Sequence, residues 1–428
     1  MKNALLKSLL LALFMTAVSF SCHNPAGMKD RSDAVYYVNM AEGHSGKALF
    51  PYSKRVLYPW IVGRFSALLG VERSFLFTGT LAYSIFIFIT MFIMGYYLKV
   101  PFVIGAGLFV MPWLFNLYGL LYVPTVFFLS LSSLYFLLLY SEKYIASLAV
   151  LALLLFTRDE SILIAFGFIL IMTWRAVKYK DKRLFSYAAI AVTAFLVIAS
   201  ACVLGYKTGH NRNLHYLPNV LYLIFKIPFY GLRNFFGIKL WVSSYQNLPG
   251  YVHAPLLAFN APHWLESLSR IGSLGIYEFD PSVSRDFFLV LLSTFGTTPT
   301  IIFYILKKRY IIRNMPLSFY AAFIYGILAL FIMPFVSASL FSIYATSWPL
   351  CLFVAPVLLN RLFKEDKKTF FTALALFIIS GWLPVSAYYI NVPPGALLVA
   401  EIALHVYTWL ILSKHIQPAG ARLYAYTI

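Results

Sequence analysis

The sequence predicts an all-α, polytopic integral membrane protein, and three observations predict it: the composition, the length of the charge-free runs and the placement of positive charge. Hydrophobic residues make up 61% of the 428-residue chain and charged residues 11%, with a mean hydropathy of +0.79. An ordinary soluble core cannot enclose that much apolar surface, so the chain needs lipid around it. Six runs carry no charged residue: Ser74 to Leu98, Val100 to Ser141, Leu184 to Tyr206, Phe287 to Leu306, Asn314 to Asn360 and Thr369 to Ala400. Each accommodates one or two helices of about 20 residues, and dividing the longest at their Pro, Gly and Asn breaks predicts roughly twelve spans. A transmembrane barrel would show short alternating strands instead.

Charge supplies the expected orientation. With the N-terminus inside, the cytoplasmic segments hold 19 Lys and Arg against four acids, and the outer segments hold 15 against ten. This asymmetry satisfies the positive-inside rule and predicts cytoplasmic N- and C-termini. The net charge of +19 therefore reads as topology, and nucleic acid is not an expected partner. Cys22, Cys202 and Cys351 are too few and too scattered for a disulfide framework or a zinc site.

The expected organisation is one transmembrane domain over residues 1–428, with a first outer loop at 22–73 and a long outer loop at 207–285. The opening segment, with Lys2 and Lys7 before an apolar run, reads as a retained span, although its pattern also fits a signal peptide. Within the first outer loop, "KRVLYPWIVGRFSALL" places Leu57, Trp60, Ile61, Phe65 and Leu68 on one helical face and Arg64 on another. That pattern suits a helix lying on the outer leaflet or packed against the bundle.

Between Tyr144 and Trp174 the apolar pattern is interrupted by "TRDES", Thr157 to Ser161, leaving two arms of about 14 residues, each too short for a hydrocarbon core of about 30 Å. The expected structure is a helical hairpin with Arg158, Asp159 and Glu160 at an outer tip. In the long outer loop, apolar stretches carrying Lys226, Arg233 and Lys239 read as surface-lying helices.

Three polar clusters then share the outer face: Asp30, Asp33 and Glu42 with Arg55; the hairpin tip; and the long loop with His210, His215, His253, His263, Glu278 and Asp280. A carboxylate near the surface can act as a general base, and an arginine can neutralise a phosphate through a bidentate pair. That combination suits a phosphate-linked lipid substrate. Structural roles stay open beside it: Asp33 is placed to cap a helix starting at Ala34, and Arg158 to pair with Asp159 or Glu160. Glu401 and His405, four apart, would share a helix face, first as a packing pair and alternatively as part of a proton path.

The order Asp33-x-x-Tyr36-Tyr37-x-x-Met40-Ala41, then Pro51-Tyr52-x-x-Arg55-Val56-Leu57-x-Pro59-Trp60, resembles the first outer loop of bacterial polytopic membrane proteins related to the GT-C glycosyltransferases. "TRDES" before an apolar helix resembles their later hairpin motif. The resemblance covers about the first 175 residues. It implies a multi-pass protein of the bacterial cytoplasmic (inner) membrane, acting as an inverting transferase that moves a sugar from a polyprenyl-phosphate carrier to a glycan, lipid or protein acceptor on the outer face. Asp33 would be the catalytic base, and Tyr36, Tyr37, Arg55, Arg158, Asp159 and Glu160 would bind substrate. It implies no cofactor and leaves a divalent metal open. The chain departs from the family pattern in placing Asp30 three residues from Asp33 rather than beside it, and in lacking an arginine within "SASLFSIYATSWP". The rival expectation is a transporter or flippase, whose charges usually sit near the midplane within repeated halves; a polymerase or ligase of lipid-linked glycans is a third.

Overall fold

A computed structural model describes residues 1–23, 33–48, 55–205, 230–242, 274–308, 312, 315–335 and 345–415. From the N-terminus, α1 (Lys2–Cys22) is followed by α2 (Ala34–Ala41) and α3 (Leu57–Leu69). Gly70, at φ 76°, turns the chain into α4 (Val71–Phe92), which continues as a π turn over Ile93–Tyr97. Prolines then start three helices, α5 (Phe102–Phe109) after Pro101, α6 (Pro112–Tyr118) at Pro112 and α7 (Thr125–Tyr140) after Pro124. A proline costs little there, because its missing N–H would have had no partner in the first turn.

The "TRDES" turn separates α8 (Tyr144–Leu155) from α9 (Ser161–Tyr179), and α9 stops at Lys180, φ 55°, before α10 (Lys182–Gly205). Of the segment between α10 and α11, the described part holds a helical turn over 230–236 and an antiparallel pair, β1 (Ile238–Val242) and β2 (Leu274–Phe279), with Ile238 opposite Phe279 and Val242 opposite Leu274. Of the surface helices expected around Lys226, Arg233 and Lys239, the part near Lys226 lies outside the described residues, Arg233 is in the helical turn, and Lys239 is in a strand instead, because Ile238–Val242 pairs with Leu274–Phe279. Asp280 caps α11 (Pro281–Ser293) by accepting from the Ser282 N–H at 3.0 Å, and α12 (Thr298–Lys307) follows. Next come α13 (Leu317–Ile332), a π turn over Leu350–Val354 and α14 (Ala355–Glu365). Last are α15 (Lys367–Tyr389), capped by Asp366, and α16 (Pro394–His415).

Six of these helical segments are long and apolar enough to cross a membrane: α1, α4 with its π turn, α9, α13 with the short turn Met333–Phe335, α15 and α16. A seventh arises if α11 and α12, bent by 68° at a short break, count as one span. The chain is thus a multi-pass helical protein, with fewer full-length spans among its described residues than the twelve expected. The reason is visible in the Val100 to Ser141 run: its proline and glycine breaks leave helices of 8, 7 and 16 residues. Even the longest reaches only about 24 Å at 1.5 Å per residue. The hairpin arms also differ from expectation, at 12 and 19 residues, so α9 is long enough to cross alone.

The bundle is held by aromatic packing and cross-helix hydroxyl bonds. α1 lies against α4 with Thr16 Oγ1 2.8 Å from Ser84 Oγ and Ser19 Oγ 2.9 Å from the Tyr83 hydroxyl. Fully buried Trp348 packs edge-on against Phe86, Phe136 and Phe353, and donates from Nε1 to Ser132 Oγ at 3.2 Å. On α3, Tyr58 is buried, stacks on Phe127 and donates to the Leu121 carbonyl. The face carrying Trp60, Phe65 and Leu68 is exposed, as its spacing predicts, and the Arg64 guanidinium lies 5.0 Å above the Trp60 ring. Gly63 lets α2 approach α3, since a Cβ there would lie 2.8 Å from the Ala41 carbonyl oxygen.

Candidate functional site

The turn between α8 and α9 is built from local hydrogen bonds. The Leu154 carbonyl accepts from the N–H groups of Thr157 at 2.9 Å and Arg158 at 3.2 Å, and Ser161 Oγ donates to the Arg158 carbonyl at 2.5 Å. The tight turn sends neighbouring charges in opposite directions: Arg158 and Glu160 inward, 5% and 9% exposed, and Asp159 outward, 51% exposed. Arg158 is fully engaged. Its Nε and Nη2 donate to the two Glu160 oxygens at 2.9 and 2.5 Å, and its Nη1 donates to Thr125 Oγ1 at the start of α7. Burial alone would raise the Glu160 carboxyl; the charges of Arg158 and Arg55, with the Arg158 hydrogen bonds, instead hold it down to about 2.

The segment between α1 and α4 docks onto this turn. Arg55 donates from Nη2 to Asp159 Oδ2 at 3.1 Å and from Nη1 to the Tyr37 hydroxyl at 3.2 Å, while the Leu57 N–H donates to the Phe156 carbonyl at 3.3 Å. Burial works against the Arg55 cation, but Tyr37, Asp159 and Glu160 outweigh it and hold its proton more tightly than usual. Tyr37 is shifted upward as well, by its own burial with Arg55 opposing, so it remains a phenol. Asp33 lies one helical turn before Tyr37, partly buried, and its charge is felt at the Tyr37 hydroxyl. It holds the N-cap position of α2, yet its side chain accepts no capping bond from that helix. Tyr36 is partly buried beside it.

Six of the seven expected site residues are thus linked by one network or lie within a helical turn of it, and Tyr36 is the neighbour of Tyr37. Asp33, Asp159 and Glu160 bring three negative charges against the two of Arg55 and Arg158. Two groupings change. Glu42 approaches His44 at 3.8 Å rather than joining Arg55, whose ion-pair partner is Asp159. Asp280 serves as the cap of α11. Asp30, Pro51, Tyr52, His210, His215, His253 and His263 lie outside the described residues, as does the Glu278 side chain. Thr125 was not anticipated; its one signal is a hydroxyl directly after Pro124, at a helix start. Among the described residues, no group of three His, Cys, Asp or Glu is arranged to hold a metal ion.

The chain matches no family model, no curated protein and no solved structure at a significant level. The chemistry of the site is therefore read from its own residues.

Proposed function

We propose that the chain is an inverting, GT-C-like glycosyltransferase of the bacterial cytoplasmic membrane, moving a sugar from a polyprenyl-phosphate carrier to an acceptor on the outer face. The observation that supports this reading best is the Arg55–Asp159 pair, which joins the Asp33 helix to the charged tip as one polar site beside apolar helices. Asp33 takes the proton of the acceptor hydroxyl as its oxygen bonds to the anomeric carbon. The carbon–oxygen bond to the phosphate breaks, and the polyprenyl phosphate leaves already ionised, so no general acid is needed.

The two arginines take different roles in this scheme. Asp159 is half exposed and can yield its place on Arg55 to the carrier phosphate, an exchange of one anion for another on the same guanidinium. Arg158, bound by Glu160 and Thr125, positions the tip rather than meeting the phosphate. The exposed apolar face of α3 rests in the outer leaflet and sets the site at headgroup height.

One observation favours the transporter reading: the span formed by α11 and α12 is broken, and broken spans mark many transporter sites. Lipid extracts separate the two. A strain lacking the protein accumulates a sugar-charged carrier if the protein is a transferase. Movement of unconsumed carrier across sealed vesicles by the purified protein would support the flippase instead.

A further inference from the structure

A second polar cluster lies within the bundle, away from the outer site. Glu401 sits seven residues into α16, about 10 Å along the helix, and its side chain is fully buried. Its Oε2 accepts from Ser380 Oγ of α15 at 2.6 Å, while its Oε1 has no hydrogen-bond partner among the described residues. One turn further on, buried His405 bonds on both ring nitrogens, through Nδ1 to Thr300 Oγ1 of α12 at 2.7 Å and through Nε2 to the Leu292 carbonyl of α11 at 3.0 Å. These partners stand on either side of the 68° break. Within the break, Thr297 Oγ1 is also buried with no partner among the described residues.

The protonation pattern follows from the partners. A carbonyl only accepts, so Nε2 of His405 carries hydrogen, and Nδ1 is free to accept from the Thr300 hydroxyl. Both bonds are satisfied by neutral imidazole, and burial without a carboxylate partner disfavours the charged ring, so His405 is not bonded to Glu401 as a compensating cation. Each element packed against α16 gives the same answer. On α15 the segment from Thr369 to Ala387 has no titratable side chain. On α11, Arg285 and Asp286 pair with each other at 2.9 Å near the outer end. On α12, Tyr304 and Lys307 lie against Trp409, two turns beyond Glu401. On α16 itself, besides His405, Tyr407 follows, and Lys414 and His415 stand at the far end, more than three turns from Glu401. A carboxylate with one donor and no cation is costly in this setting, and an intramembrane acid usually marks a proton or ion path.

We propose that Glu401, one helical turn from the histidine that bonds both sides of the α11–α12 break, is a proton-binding site inside the membrane, with Ser380 as its fixed donor and the break as the route by which the proton exchanges with water. The unpartnered Oε1 carries the proton, and the buried Thr297 hydroxyl offers a polar group within the break itself. The site stands apart from the transferase reading and survives its failure.

Infrared difference spectroscopy of the full chain in lipid nanodiscs tests it, comparing the wild type with Glu401→Gln. The expected result is a protonated carboxyl C=O band that Glu401→Gln removes, heavy water shifts and alkaline titration abolishes. Ser380→Ala moves that band by deleting the bond to Oε2, and it decides the assignment if Glu401→Gln does not fold. Carboxylate bands at neutral pH, a C=O band unmoved by heavy water, or a band indifferent to Ser380→Ala would overturn the proposal.

Discussion

Arg55 and Asp159, 104 residues apart, meet at 3.1 Å, and since the same guanidinium donates to Tyr37, the helix that follows Asp33 is tied to the turn between α8 and α9. One partner is nearly buried and the other half exposed, so solvent screens the pair and its worth to folding is small, about 1 kcal/mol or less. Asp159→Asn should therefore leave the melting temperature in detergent almost unchanged. Arg55→Lys, which keeps the charge but loses the planar fork, should weaken binding of a lipid-linked sugar by about tenfold or more, since a hydrogen bond to a charged group contributes about 1.5–3 kcal/mol. Equal binding by Arg55→Lys and wild type would detach Arg55 from the phosphate.

The Arg158–Glu160 pair behaves differently because both members are buried. Removing one partner strands a charge, and Glu160→Gln alone should cost about 3–5 kcal/mol. A double neutral replacement, Arg158→Met with Glu160→Gln, should recover much of that loss, and thermal unfolding of both single variants and the double variant measures it. A double variant as unstable as the sum of its singles would remove the pairing as the reason for their burial.

Acid should act through the same carboxylate. The folded Glu160 carboxyl is held down to about 2 against an ordinary 4.5, so its stabilisation is complete above the ordinary value and is lost as pH falls from there toward 2. The change is on the order of 3 kcal/mol, the product of the shift and about 1.4 kcal/mol per unit. Unfolding midpoints followed from pH 6 downward should fall in the wild type and run flatter in Glu160→Gln; parallel curves would contradict the assignment.

The overall class was legible because charge is costly in lipid, and the charge-free runs mark where the chain is compatible with it. For the same reason Asp33, Arg55 and the "TRDES" triplet stood out as a set. The pairing of Arg55 with Asp159 rather than with Glu42 was not legible, because it depends on how α2 and α3 dock on a turn far away in sequence. Nor was Thr125, a single hydroxyl whose importance comes only from the guanidinium packed on it. The number of full-length spans was not legible, because prolines and glycines show where a helix stops, without showing whether the pieces between them are long enough to cross.

The approach of α2 to α3 offers a separate handle on the site. A methyl group at Gly63 would press on the backbone of Ala41, so Gly63→Ala should force the two helices apart and destabilise the protein by about 1–3 kcal/mol, the usual scale of overpacking. Because α2 carries Asp33 and Tyr37, activity should fall further than stability alone explains. Unchanged thermal stability would show that the contact relaxes at no cost.

In the proposed reaction Asp33 is the base of a sugar transfer from a polyprenyl-phosphate carrier. Asp33 makes no capping bond to α2, so Asp33→Asn removes proton acceptance without removing a helix cap. The decisive measurement is consumption of lipid-linked sugar by the purified protein and by Asp33→Asn, at matched amounts of folded protein. The account predicts turnover by the wild type and a fall of about 10² or more in the variant; near-normal turnover by Asp33→Asn would contradict it.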